Sequence, residues 1–128
     1  MASFVSANLS HEITGGFVSF KIDAKVHFEE SEVGHRWLFQ IEFMEEDPLS
    51  DDKISTSRET FADEIKRHYI IPSTQDVELS FTEEIASHLV NTELGKEEIY
   101  ANLKLKPLEK PEGFVASQSR TNVTIVDV

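Results

Sequence analysis

The chain has no cysteine, which excludes disulfides, thiolate metal sites and thiol nucleophiles. No apolar run approaches the ~20 residues that span a bilayer, so a membrane is not expected as a partner. The opening residues, Met-Ala-Ser-Phe-Val-Ser-Ala-Asn, have neither a basic n-region nor a long apolar h-region, and no signal peptide is expected. The compartment is left open, with the cytoplasm favoured. Basic residues are scarce: 12 Lys and Arg stand against 24 Asp and Glu, for a net charge of −12. Such a chain repels phosphate backbones, and no basic stripe with interleaved aromatics offsets this, so nucleic acid is not expected as a partner either.

Motifs that carry chemistry are also missing. There is no GxSxG, GxGxxG or Walker loop, and no helix follows Gly15-Gly16 to hold a phosphate. The five histidines, His11, His27, His35, His68 and His88, are scattered, with no i, i+4 pair on a helix and no HExxH. Carboxylates are too abundant for a pair of them to mark acid–base chemistry, which needs a cleft that separates their pKa values. No catalytic residue, cofactor-binding residue or cofactor is expected, and the protein is read as a non-enzyme. Asn8-Leu9-Ser10 and Asn122-Val123-Thr124 are sequons by pattern alone.

What the chain does have is period-2 alternation. Val18, Phe20, Ile22, Ala24, Val26 and Phe28 are apolar, and Ser19, Lys21, Asp23, Lys25 and His27 between them are polar. This predicts a long strand with one buried face, containing a bulge or strong twist. Trp37, Phe39, Ile41 and Phe43 predict a second strand, and the connection through Gly34 suggests that the two form a hairpin. Residues 45–60 are polar and read as a long loop. Glu59 to Ile71 reads as a short helix or irregular segment passing into a strand near 67–71. Val77, Leu79 and Phe81 mark another strand. Residues 83–90 fit a helical turn or a poor strand, and Glu93-Leu94-Gly95-Lys96 a turn. Ile99, Ala101, Leu103 and Leu105 alternate cleanly up to Pro107. Phe114 to Ala116 is expected to pair briefly, and Asn122 to Val126 to form the last strand.

Six or seven strands without an alternating helical pattern disfavour a parallel βαβ sheet. One-sided strands build sheets that must stack. The expected fold class is therefore all-β, with room for one short helix, as an antiparallel two-sheet β-sandwich in a single domain over residues 1–128.

Two groups of residues qualify as candidate sites. Hard cations need several oxygen ligands, and Asp47, Asp51 and Asp52 lie close enough in one acidic loop to form a partial calcium cage, although their spacing is not that of an EF-hand. The ordinary alternative is a solvated acidic loop. The second group comes from charge distribution. Residues 1–94 hold 19 acids and 7 Lys/Arg, whereas residues 95–128 hold 5 of each. The polar face of the strand from Ile99 to Leu105 carries Tyr100, Asn102, Lys104 and Lys106, the expected contact surface for an acidic partner or a neighbouring copy.

Trp37 with Phe39 and Gln40, after a long alternating strand, resembles the strand-C tryptophan of the immunoglobulin-like β-sandwich superfamily. Glu98-Ile99-Tyr100 is similar to its tyrosine corner, and Leu94 and Tyr100 have the spacing found in fibronectin type III domains. The paired cysteines are missing, and Asn102 and Lys104 stand where apolar residues are usual. The resemblance implies an architecture and transfers no function. The leading expectation is a non-catalytic protein-interaction or structural module. A calcium-binding β-sandwich domain is the alternative, followed by an enzyme with an unrecognised site.

Overall fold

Alternating strands have one dry and one wet face, and in the computed structural model of the chain the dry faces meet between two antiparallel sheets. The structure describes residues 1–46, 52–53, 65–90, 96–109 and 114–127. The strands are β1 (Ser3–Thr14), β2 (Phe17–His27), β3 (Trp37–Glu45), β4 (Asp52–Lys53), β5 (Lys66–Ile70), β6 (Asp76–Ala86), β7 (Glu97–Pro107), β8 (Ser117–Arg120) and β9 (Thr124–Val126). A single turn of α-helix, α1 (Ser87–Val90), follows β6. The smaller sheet has the order β1-β2-β6. In the larger one β3 and β7 pair centrally, with β4 and β5 beside β3 and β8 and β9 beside β7. The fold is an antiparallel β-sandwich. Among the described residues no helix is long and apolar enough to cross a membrane.

The hairpin expected from residues 18–43 is not formed. β2 pairs with β1 and β6, and β3 lies in the opposite sheet. The true hairpin is β1–β2, closed by Gly15-Gly16 with Gly15 at φ 58°, the positive φ that tight hairpin turns require. The irregularity expected in the long strand falls on its partner: the β1 register shifts between Phe4 and Ser6, whereas β2 pairs with β6 without interruption.

The chain crosses between sheets through a one-turn 3-10 helix at Glu30–Glu32. Glu32 is buried there. Its carboxylate accepts the backbone N–H of Ala2 at 3.1 Å and of Glu29 at 2.7 Å. Those bonds offset the cost of taking a carboxylate out of water.

Across the interior Phe28 meets Trp37 edge-on with centroids 5.2 Å apart. Phe20 meets Phe43 at 4.9 Å and Phe39 stacks on Phe81 at 5.2 Å. The expected core residues Ile22, Val26, Phe28, Trp37, Phe39, Ile41, Leu79, Leu103 and Leu105 are all buried. Lys21, Lys25, Asn102 and Lys104 are exposed.

Other expectations hold in part. The strand near 67–71 is β5, while the helical reading of the preceding segment falls on residues 61–64 and earlier, outside the described residues. The turn at Glu93–Lys96 also lies outside them apart from Lys96. β6 runs on to Ala86 before the helical turn. Phe114 to Ala116 does not pair, because Phe114 instead stacks on Trp37 at 5.6 Å. Pairing resumes at Ser117, and the last strand begins at Thr124.

Side chains close one seam of the sandwich. The Asn122 amide accepts from the Leu9 N–H at 2.8 Å and donates to the Leu9 carbonyl at 3.0 Å, so it substitutes for a paired backbone beside β1. His11 Nδ1 lies 2.6 Å from Thr124 Oγ1.

Two stability changes follow, both measurable by urea denaturation. Phe39→Ala removes a fully buried ring and is expected to cost about 3–5 kcal/mol. Asn122→Ala leaves both Leu9 backbone groups without that partner and is expected to cost about 1–3 kcal/mol. Asn122→Asp keeps the acceptor but turns a second oxygen towards the Leu9 carbonyl, and it should not restore the loss.

Candidate functional site

The outward face of the larger sheet is set by the register of β5, β3, β7 and β8. Residues facing the interior from β7 are Ile99, Ala101, Leu103 and Leu105, so Tyr100, Asn102, Lys104 and Lys106 take the opposite face by the pleat. Three cross-strand rows define that face. Tyr69, Leu38 and Lys106 form the first. Arg67, Gln40, Lys104 and Gln118 form the second. Glu42, Asn102 and Arg120 form the third.

Asn102, Lys104 and Lys106 are exposed as expected, but Tyr100 is not. It is only 3 % exposed. The Arg120 guanidinium lies over its ring, 3.6 Å from the centroid, and Arg120 is held there by Glu46 at 3.4 Å. A planar cation over an aromatic face is an attractive arrangement. It removes the tyrosine from the contact surface and puts Arg120 in its place.

Between the second and third rows runs an open trough of about 450 Å³. Gln40, Glu42, Asn102, Lys104, Gln118 and Arg120 line it, with Ile65 at one end. Among the described residues, Lys104 and Lys106 make no ion pair, and the three carboxamides make no hydrogen bond. Arg67 donates to the Ile65 carbonyl at 3.1 Å and is otherwise open to solvent. The trough therefore offers unpaired carboxamide donors and acceptors, with Lys104 on one side and, on the other, Arg120 and the carboxylate Glu42.

Arg67, Gln118 and Arg120 were missed by sequence reasoning. β8 is four residues long and uniformly polar (Ser-Gln-Ser-Arg), so it has no alternation to reveal it. Gln40 could be placed on this face because it alternates with Phe39 and Ile41.

The acidic cage falls largely beyond view. Asp47 and Asp51 lie outside the described residues, and Asp52 is seen only as backbone in β4, opposite Glu45. Among the described residues no group of three or more His, Asp or Glu could hold a metal ion.

No family model, curated protein or solved structure matches the chain. The assignment of a site therefore stands on geometry.

Three histidines pair with carboxylates. His27 Nδ1 lies 2.8 Å from Asp76 on the outer face of the smaller sheet. His68, in the larger sheet, lies 2.5 Å from Glu83 in the smaller one and stacks on Phe81, which closes the second seam. His35 bonds Glu109, and Arg36 donates to the same carboxylate at 3.0 Å. His35 also sits edge-on to Phe114 at 5.2 Å, the ring that covers Trp37.

The hydrogen bond from His35, and after it that from Arg36, holds the Glu109 carboxyl below its ordinary pKa of 4.5. A carboxylate whose pKa is lower folded than unfolded stabilises the fold above the unfolded value. That contribution is lost as pH falls through the folded value. Glu109→Gln should therefore lower the melting temperature slightly at pH 7. The gap to the parent should stay level down to about the ordinary carboxylate range, near 4–4.5, and close below it. A gap unchanged into strong acid would show that the charge of Glu109 is not involved.

Proposed function

We propose that this domain is a non-catalytic protein-interaction module whose contact surface is the outer face of the larger sheet, around Asn102, Lys104 and Lys106. The observation that carries the reading is the local charge. Lys104 and Lys106 have no carboxylate partner among the described residues, while the chain as a whole carries −12. On the opposite face the lysines are compensated: Lys21 lies 3.9 Å from Asp23 and Lys25 lies 3.7 Å from Glu78. Uncompensated charge beside unpaired amides on a rigid sheet costs little to desolvate only when a partner supplies the missing groups.

We further take the sandwich as immunoglobulin-like. Strand order supports this. β1-β2-β6 corresponds to A-B-E and β3, β7 and β8 to C, F and G, with β5 in the place of C′. On this reading Trp37, which is buried on β3, is the strand-C tryptophan. In variable-type domains of that architecture the C-F-G sheet carries the added C′ strand, as the larger sheet here carries β5.

Two charge-reversal variants separate the faces. Lys104→Glu with Lys106→Glu should abolish capture of the partner from the native source. Lys21→Glu with Lys25→Glu, on the other face, should leave capture intact. Both must retain the β-sheet circular dichroism of the parent. Undiminished capture by the first variant would remove this surface from consideration.

A further inference from the structure

We infer that the trough takes an extended, acidic polypeptide segment laid across the strands, an inference that rests on the reading of this face as the contact surface. The dimensions come first. β5, β3, β7 and β8 lie side by side, and strands sit about 4.8 Å apart, so the trough spans roughly 14 Å. Extended chain advances about 3.3 Å per residue, so four or five residues cross it.

The chemistry of the lining matches such a chain. Gln40, Asn102 and Gln118 each offer a donor and an acceptor, the pair that a peptide group needs when no strand edge is available to it. Lys104 stands in one wall, Lys106 lies one row beyond it, and Arg67 closes the row on the β5 side. Arg67 and Lys104, two strands apart in one row, suit carboxylate side chains on one face of the extended segment, and Lys106 flanks that row.

Apart from Glu42 in the lining, the net charge of −12 does not oppose this through the acids of the smaller sheet. Glu12, Glu78 and Glu84 are exposed on the smaller sheet, and stacked sheets lie about 10 Å apart. At physiological ionic strength the Debye length is about 8 Å, so those acids are largely screened from the trough.

A nucleic acid fits less well. A long polyanion would run past the trough onto Glu46 and Glu98, whereas a short segment can keep to the row of Arg67, Gln40, Lys104 and Gln118, one row away from Glu42. The face also gives bases little to stack on, because Arg120 covers Tyr100 and Tyr69 is the one exposed aromatic among its described residues.

The test is a titration of the ¹⁵N-labelled full chain, followed by amide chemical shifts, with three probes: an alternating Glu-Thr peptide of about ten residues, its Lys-Thr counterpart, and an oligothymidylate of similar length. The Glu-Thr peptide should shift amides of β3, β7 and β8 saturably, and amides on the outer side of β1 and β2 should not move. Lys104→Glu with Lys106→Glu should weaken its binding by about tenfold or more, as expected when like charges are juxtaposed. A preference of this face for oligothymidylate, or for the Lys-Thr peptide, would overturn the acidic-peptide assignment while leaving the face as a contact surface. No shift at this face with any probe would overturn the assignment too, and the capture experiment with the charge-reversed variants would then judge the surface independently.

Discussion

Phe28 against Trp37, Phe20 against Phe43 and Phe39 against Phe81 are contacts between sheets, and the rest of the architecture follows from them. Each of β2 and β3 has one continuous apolar face. Paired as a hairpin, the two would present both apolar faces to the same side and leave them to be covered by something else. Placed in opposite sheets, they cover each other. Aromatic pairs at centroid separations near 5 Å add to the area term, so the crossed arrangement gains twice. The crossing needs length, which residues 28–36 supply, and it needs an end point. Glu32 provides that by holding Ala2 and Glu29 through their N–H groups while Trp37 Nε1 donates to its carbonyl at 3.4 Å.

A two-layer sandwich leaves two seams where a strand edge of one sheet meets an edge of the other, and backbone groups there have no ladder to join. Each seam is closed by side chains. Asn122 presents a donor and an acceptor to Leu9 in the geometry of a neighbouring strand. On the opposite seam His68 reaches Glu83 and lies flat on Phe81, with centroids 3.9 Å apart. In both cases a polar side chain sits where an apolar one would leave backbone or carboxylate unpaired at a half-buried position. This also accounts for the Asn122-Val123-Thr124 sequon by pattern: its amide is committed to holding β1.

The parts of this fold that were legible in the sequence are those where period 2 runs unbroken. β2, β3 and β7 can be read directly, and with them the core. β1 could not, because the register shift at Phe4 and Ser6 breaks its phase and His11 stands among its inward residues. β8 and β9 could not be delimited, because four and three residues are too few to establish a period. Pairing was the larger error. Alternation reports which residues share a face but is silent on which sheet the face belongs to, so β2 and β3 read as neighbours on proximity alone. At the candidate site, Asn102, Lys104 and Lys106 followed from alternation in β7. The burial of Tyr100 did not, since it depends on Arg120 from a strand that pairs with β7 only in three dimensions.

Net charge and local charge separate in this molecule because the sheets impose a spacing. On the smaller sheet the β2–β6 register puts Lys25 beside Glu78, and the pleat puts Lys21 beside Asp23 on one face, so these cations are neutralised where they stand. On the larger sheet the neighbours of Lys104 are Gln40 and Gln118, and the neighbour of Lys106 is Leu38. None of these can neutralise an ammonium group. An amide beside an ammonium group leaves the charge in place and adds a directional donor and acceptor next to it. The same strand pairing that builds the core therefore determines where ammonium groups stand without a carboxylate directly beside them, and the local charge there differs in sign from the whole-chain −12.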